Sequence, residues 1–258
     1  LAYTYPTSLP TIKQLYQHTK AKVSGGLTRF LTQYACAKIK EARWFTSTWY
    51  QVPTCIPANV AENEITSIFT RSLPPSTAVS IPQKVTDAAL FIATVIGKVE
   101  SPMDFDEWLS RFDPHRRTQL REALDRPLST TVEYFQKIEQ LDEPKEPRAI
   151  QARVDEFKAH LGPWIAQLEH TARDRLPIFV KGLDSVAKAE KIDRLRQRST
   201  LSLELDFSRF DRSLTQELLL ATEHAIYRQC LPKNIARAMT LQLRNHIRTR
   251  NNASYTVD

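Results

Sequence analysis

The chain has 258 residues, 41% hydrophobic and 25% charged, a balance that excludes collagen-like, coiled-coil and mainly disordered classes and leaves ample chain for a core. Thirty-six Lys and Arg against 29 Asp and Glu give a net charge of +7, which favours polyanionic partners. No apolar run reaches the roughly 18 residues of a membrane span, and the longest candidate, Ala88 to Gly97, stops at charged Lys98.

Three cysteines, Cys36, Cys55 and Cys230, lack paired spacing, so neither a zinc site nor a disulfide framework is indicated. Glycine-rich phosphate loops are absent, and any nucleotide chemistry must use side chains. The chain starts at Leu1 without an initiator Met and stops at Tyr255–Asp258 in what reads as the middle of a strand, so it is expected to be an excised piece.

In chain order, residues 1–130 read as mainly helical. A short helix is expected from Thr11 to about Lys22, and a longer one after Gly25-Gly26 with Leu27, Phe30, Leu31, Tyr34, Ile39 and Ala42 on one side. Recurrent prolines between Val52 and Pro82 imply irregular backbone, and Val85–Val99 suits either a buried helix or a strand. Pro102 and Asp104 start a helix with Phe105, Trp108, Leu109 and Phe112, and Pro114 starts the next with Leu120, Ala123 and Leu124 inward.

From Thr131 the texture turns extended. Val132, Tyr134 and Gln136 alternate with Glu133, Phe135 and Lys137, a charged connection runs from Asp142 to Pro147, and Ala149–Ala152 is extended again, so two strands joined by a polar loop are expected. Asp155 is read as capping a helix that Gly162-Pro163 interrupts, and another helix spans Asp184 to about Arg198. Leu201, Leu203, Leu205 and Phe207 alternate with Glu204 and Asp206, the pattern of a half-buried strand. Ser213 and Gln216 form a capping-box pattern before a stripe of Leu214, Leu218, Ala221, Ala225 and Ile226. Pro232 opens a final helix with Ile235, Met239 and Leu243, and Arg228–Arg250 carries six basic residues and no acidic ones.

Two clusters carry chemistry. Asp206-Phe-Ser-Arg-Phe-Asp211 places one carboxylate at a strand end and another five residues on, and phosphoryl transfer needs a rigidly held carboxylate to fix Mg²⁺. The same spacing suits an Asp that ends a strand and another that caps a helix. Upstream, Lys137, Glu139, Lys145, Arg148 and Arg153 put permanent cations on the paired strands, where Arg offers triphosphates a bidentate fork. A solvated hairpin would carry similar charges.

The ordered combination Lys137-x-Glu139, Pro147-Arg148-x-Ile150-x-x-Arg153, Leu161-Gly162 with Leu168-Glu169-His170, Phe179-Val180-Lys181-Gly182 and Asp206-x-Ser-Arg-Phe-Asp211 resembles the RNA-dependent RNA polymerases of positive-strand RNA viruses, and is most similar to the tombusvirus-like group. The resemblance covers about residues 131–258. It implies an α+β right-hand polymerase: a helical N-terminal extension and fingers over 1–130, fingers with motif F over 131–198, and the start of the palm with motif A over 199–258. Lys137 and Arg148 then look like the motif F cations that meet the incoming triphosphate, with Arg153 a third. Asp206 looks like the motif A metal ligand, with the Phe207 carbonyl as a second oxygen, and Asp211 like the carboxylate that senses the ribose 2′-OH. Mg²⁺ or Mn²⁺ is the implied cofactor. NTPs, RNA template and nascent strand, and the remainder of the polymerase are the implied partners, at a membrane-associated replication complex in the host cytoplasm.

The family pattern continues with Ser-Gly-x3-Thr-x3-Asn in motif B and Gly-Asp-Asp in motif C, and neither occurs before Asp258, so the chain alone is expected to be inactive. A reverse transcriptase is the nearest rival, because it too has a metal aspartate at a strand end followed by a turn and helix, and Phe210 beside Asp211 resembles its aromatic sugar gate; Lys137-x-Glu139 with Pro147-Arg148-x-Ile150 upstream favours an RNA product. A non-enzymatic RNA-binding protein using Arg228–Arg250 is the alternative from another class.

Overall fold

The computed structural model describes residues 44–47, 54–57, 63–64, 67–68, 80–137, 139, 148–201, 203, 210–243, 245–249 and 254–257. The helices expected at 11–22 and 27–42 lie outside these residues. What is described is a mixed α/β arrangement of two antiparallel or mixed sheets and a set of packed helices, as an α+β reading requires.

Strands β1 (Trp44–Ser47) and β2 (Thr54–Pro57) pair antiparallel, Trp44 opposite Pro57 and Ser47 opposite Thr54. They fall where the sequence reads as helical or irregular, because four-residue strands carry too few positions for a period to show. Helix α1 (Gln83–Ile96) resolves the ambiguity of the 85–99 segment: Ala89, Ala93 and Ile96 recur at helical spacing and are buried, and Gly97 ends it at φ +73°.

Helix α2 (Phe105–Leu109) is capped by Asp104, whose carboxylate accepts the Glu107 N–H at 2.9 Å. Helix α3 (Pro114–Leu124) has Pro114 at its first position and Asp113 accepting from Arg116 N–H at 3.0 Å. Both starts agree with the sequence.

Helix α4 (Asp155–Arg175) is one unbroken helix of 21 residues, and here the expected interruption is corrected. Pro163 removes one backbone donor, yet the helix runs through it because two hydrophobic clusters grip its sides. Phe157, Leu161, Leu168 and Ala172 join Ala93 and Ile96 of α1 on one side, while Ala166 meets Trp108, Leu109 and Leu120 on the other. Met103 N–H donates to the Pro163 carbonyl at 3.2 Å. Gly162 sits under the Trp108 indole, where a Cβ would lie 2.4 Å from the ring. Asp155 is the first helical residue rather than the cap. With Glu156 it puts negative charge in the first turn, and Arg173 and Arg175 put positive charge in the last, both complementing the helix dipole. Asp155 also receives the Arg116 guanidinium fork, with Nη1 at 2.6 Å and Nη2 at 2.5 Å, tying α3 to the start of α4. The fork holds the Asp155 carboxyl below the usual aspartate range.

Helix α5 (Ser185–Arg196) is capped by Asp184, and Lys191 on it donates to the Leu176 and Phe179 carbonyls at 3.3 and 2.8 Å. Beyond it, Leu201 and Leu203 belong to no strand and are 82% and 77% exposed. The half-buried strand expected at 201–207 is therefore not formed at its two described positions, where both leucines stand mostly in solvent; Ser202 and residues 204–207 lie outside the described residues.

Three short helices follow: α6 (Phe210–Ser213), α7 (Gln216–Ala221) and α8 (Glu223–Cys230). The capping box expected at Ser213 is displaced. Ser213 Oγ donates to the Phe210 carbonyl, and Thr215 caps α7 by accepting from Leu218 N–H at 3.3 Å. The expected continuous stripe is broken at Thr222, whose φ −113°, ψ −86° lies outside the helical region. Tyr227, Cys230 and Leu231 nonetheless reach the α1–α4 cluster, and α9 (Lys233–Thr240) adds Ala236 and Met239 before a 3₁₀ turn over Leu241–Leu243.

The second sheet has the order β4-β3-β5-β6. Strands β3 (Thr131–Gln136) and β4 (Ala149–Arg153) pair antiparallel, Val132 opposite Arg153 and Gln136 opposite Ala149. Val132, Tyr134 and Gln136 are buried, as the alternation requires. Strand β5 (Asn245–Thr249) pairs parallel with β3, and β6 (Ser254–Val257) closes antiparallel on β5.

Candidate functional site

The β3–β4 hairpin brings together two of the sequence-derived residues. Its ladder extends one step past the strands, where the Lys137 N–H donates to the Arg148 carbonyl at 2.8 Å. That pairing fixes the two cations side by side at the end of the hairpin, across residues 140–147, which lie outside the described residues together with Lys145.

Glu139 lies between them. Its Oε2 is 2.8 Å from Lys137 Nζ and its Oε1 is 3.1 Å from Arg148 Nε. The carboxylate is largely buried, whereas Lys137 and Arg148 keep about half of their side chains in solvent. Among the described residues the two cations share this one anion, and the trio carries a net positive charge suited to a second anionic group. Such an arrangement can accept a polyphosphate without a glycine loop. The orienting role of Glu139 was legible only as the Lys-x-Glu spacing, which is equally the spacing of an ordinary surface pair.

Arg153 sits at the opposite end of β4, about 17 Å along the strand from Arg148 by strand rise. Its guanidinium donates to the Thr130 carbonyl at 3.0 Å and the Gln242 carbonyl at 2.9 Å, and its centre lies 5.0 Å from the Phe157 ring centroid. Burial pulls its pKa down from the usual arginine value. These contacts clamp the start of β3, the 3₁₀ turn and α4 together. Arg153 also borders a cavity of about 370 Å³ with Trp108, Phe112, Phe157 and Ile165.

The acidic half is described only in part. Asp206 and Phe207 lie outside the described residues. Asp211 falls in α6 by its backbone, one short helix rather than the turn the sequence suggests, and its carboxylate lies outside what is described. Among the described residues no group of three or more His, Cys, Asp or Glu gathers as a metal site. No helix among them is long and apolar enough to cross a membrane.

Two further segments of the resemblance meet. Lys181, in the 179–182 segment, forms an ion pair with Glu169 of α4. Gly182, the last residue of that segment, adopts φ +81°, a conformation that glycine takes at little cost.

The basic run from Arg228 contributes a second feature that the sequence shows as a charge excess but not as a shape. Arg228 on α8 and Lys233 and Arg237 on α9 surround a cleft of about 420 Å³ floored by Ala236 and Thr240.

No family model matches the chain, and no curated protein matches it.

Proposed function

We propose that this chain is the fingers and the first part of the palm of a right-hand RNA-dependent RNA polymerase of positive-strand RNA viruses, which adds ribonucleotides to an RNA 3′-OH on an RNA template. The observation that carries the reading is the hairpin end, where Lys137 and Arg148 stand side by side and share Glu139, in a chain whose later Asp206 and Asp211 follow in the order of motifs F and A. Lys137 and Arg148 meet the triphosphate of the incoming NTP, while Arg153, whose guanidinium is committed to the Thr130 and Gln242 carbonyls, anchors the far end of the hairpin. Asp206 and the Phe207 carbonyl are hard oxygen donors suited to Mg²⁺ or Mn²⁺, and Asp211 reads the 2′-OH. A bound divalent cation would stabilise charge developing on the transferred phosphoryl group. Motifs B and C complete the enzyme, at a membrane-associated replication complex in the host cytoplasm.

The test uses an enzyme extended through motifs B and C. Asp206→Asn is expected to lower addition of ribo- and deoxyribonucleotides alike by several orders of magnitude, roughly the scale of losing a metal-held phosphoryl-transfer site. Asp211→Asn is expected to retain part of the turnover and lose ribose preference, and Arg148→Ala to raise the nucleotide KM. Unchanged sugar preference in Asp211→Asn, as expected of a simple helix cap, removes the selection role. Preference for deoxyribonucleotides in the unsubstituted enzyme would favour a reverse transcriptase, and metal-independent binding without turnover would favour a plain RNA-binding protein.

A further inference from the structure

The cleft between α8 and α9 has the features of an anion site that motif F and motif A do not account for. Lys233 and Arg237 are four residues apart on α9, so they project from one face about 6 Å apart. Arg228 faces them from the last turn of α8, its guanidinium steadied by a 3.1 Å hydrogen bond to the Leu220 carbonyl. All three cations are exposed, and among the described residues none is in an ion pair.

The start of α9 adds to the attraction for an anion. Lys233 is the first residue of α9, where the helix dipole favours negative charge, and that first turn has neither an acidic residue nor a side-chain cap. From Arg228 to Arg250 the sequence has no carboxylate, and Glu223, earlier on α8, accepts the Tyr227 hydroxyl at 2.7 Å. The floor is Ala236 and Thr240, both small, so an anion can approach the helix closely.

We propose that the α8–α9 cleft binds the phosphodiester backbone of a single-stranded nucleic acid, independently of its base sequence and of any metal. A run of phosphates matches three cations arrayed along a concave surface. Among the described residues the lining has no aromatic ring to stack a base, which favours contact with the backbone over reading of sequence. Nor do these described residues include a large apolar side chain to insert among lipid tails, which favours a nucleic acid over an anionic membrane. The inference does not rest on the polymerase reading.

The test is fluorescence anisotropy of a labelled short oligouridylate with the whole chain, in EDTA, across a salt series. EDTA silences any metal-dependent nucleotide site, so failure of the polymerase reading leaves the result unaffected. Three phosphate contacts predict a log–log salt slope near roughly 2, and Lys233→Gln/Arg237→Gln should lower it by roughly 1.4 while weakening binding at least about fivefold at low salt. Arg228→Gln alone should lower it by about 0.7. The charge-retaining pair Lys233→Arg/Arg237→Lys should bind as the original, and Lys84→Gln on α1, an exposed cation far along the sequence, should change neither quantity. Far-UV circular dichroism and thermal melting show whether each variant is folded, and the charge-retaining pair gives a readout that misfolding of the glutamine variants cannot mimic. An unchanged slope in the glutamine variants overturns the proposal, as does an equal loss in Lys84→Gln. Loss of binding to phosphatidylserine vesicles with oligouridylate binding intact overturns it in favour of a lipid surface.

Discussion

At the scale of single residues, the tightest constraint in the helical core is the missing side chain of Gly162. A Cβ there would lie 2.4 and 2.9 Å from two atoms of the Trp108 indole, which is itself 6% exposed and stacked against Phe105 and Phe112 at 5.6 and 5.1 Å. The indole cannot retreat without disturbing both rings, so Gly162→Ala is expected to destabilise the chain by about 1–3 kcal/mol despite its better helix propensity. Urea unfolding monitored by tryptophan fluorescence reads this directly, and a gain in stability would mean the ring moves freely. A second residue-scale expectation concerns Cys230. Its thiol is fully buried, its Sγ lies 3.5 Å from the Ala93 carbonyl, and burial raises its pKa. Thiolate is the reactive form, so Cys230 should resist alkylation in the native chain and label only as fast as the core opens, as peptide mapping over time would show. Labelling at the rate of a free thiol would place Cys230 at the surface.

At the scale of elements, the Arg116–Asp155 fork joins α3 to the start of α4, and its dependence on pH has a definite sign. The guanidinium holds the Asp155 pKa below 3.8, so the folded chain binds this proton less readily than the unfolded one. The pair's contribution is therefore complete above the unfolded value and is lost as pH falls through the lowered folded value. Asp155→Asn is expected to cost about 1–3 kcal/mol near neutral pH and to flatten the acid limb of the stability curve below about pH 4. Chemical denaturation as a function of pH checks both, and parallel acid limbs in the two proteins would show that Asp155 titrates alike folded and unfolded. Elements also show how far the sequence could be read. Helices α2, α3 and α5 were legible at their starts because the signals are local: Asp104 and Asp184 each accept a backbone N–H three residues on, and Pro114 fits the first position of α3. The run through Gly162-Pro163 was not legible, since the rule that proline ends a helix is local while the clusters that override it draw on α1, α2 and α3.

At the scale of the whole molecule, the same division separates what the site disclosed. Lys137 and Arg148 could be paired from the alternation of β3 and the extended character of β4, because antiparallel neighbours are close in sequence. Arg153 could not be placed that way: its partners at Thr130 and Gln242 come together only when the 3₁₀ turn docks, far along the chain. The Arg228–Arg250 run was visible as charge, but its concavity depends on the angle between α8 and α9, set by Pro232 and by the burial of Cys230, Leu231 and Met239.

The sheet order β4-β3-β5-β6 also has a consequence for synthesis. β4 closes at Arg153, but β5, the second neighbour of β3, opens only at Asn245. At about 5–20 residues per second on the ribosome, one edge of β3 waits roughly 5 to 18 s for its partner. During that interval the edge of β3 that later meets β5 shows bare backbone donors and acceptors, and the parallel pairing that ends it is among the slower contacts to form. Glu133, exposed on the same strand, sets a charge beside that edge and opposes pairing between two nascent copies. The chain is thus most vulnerable to its own kind while it is incomplete, and the late-made basic segment that forms the phosphate cleft runs directly into the strand that ends the exposure.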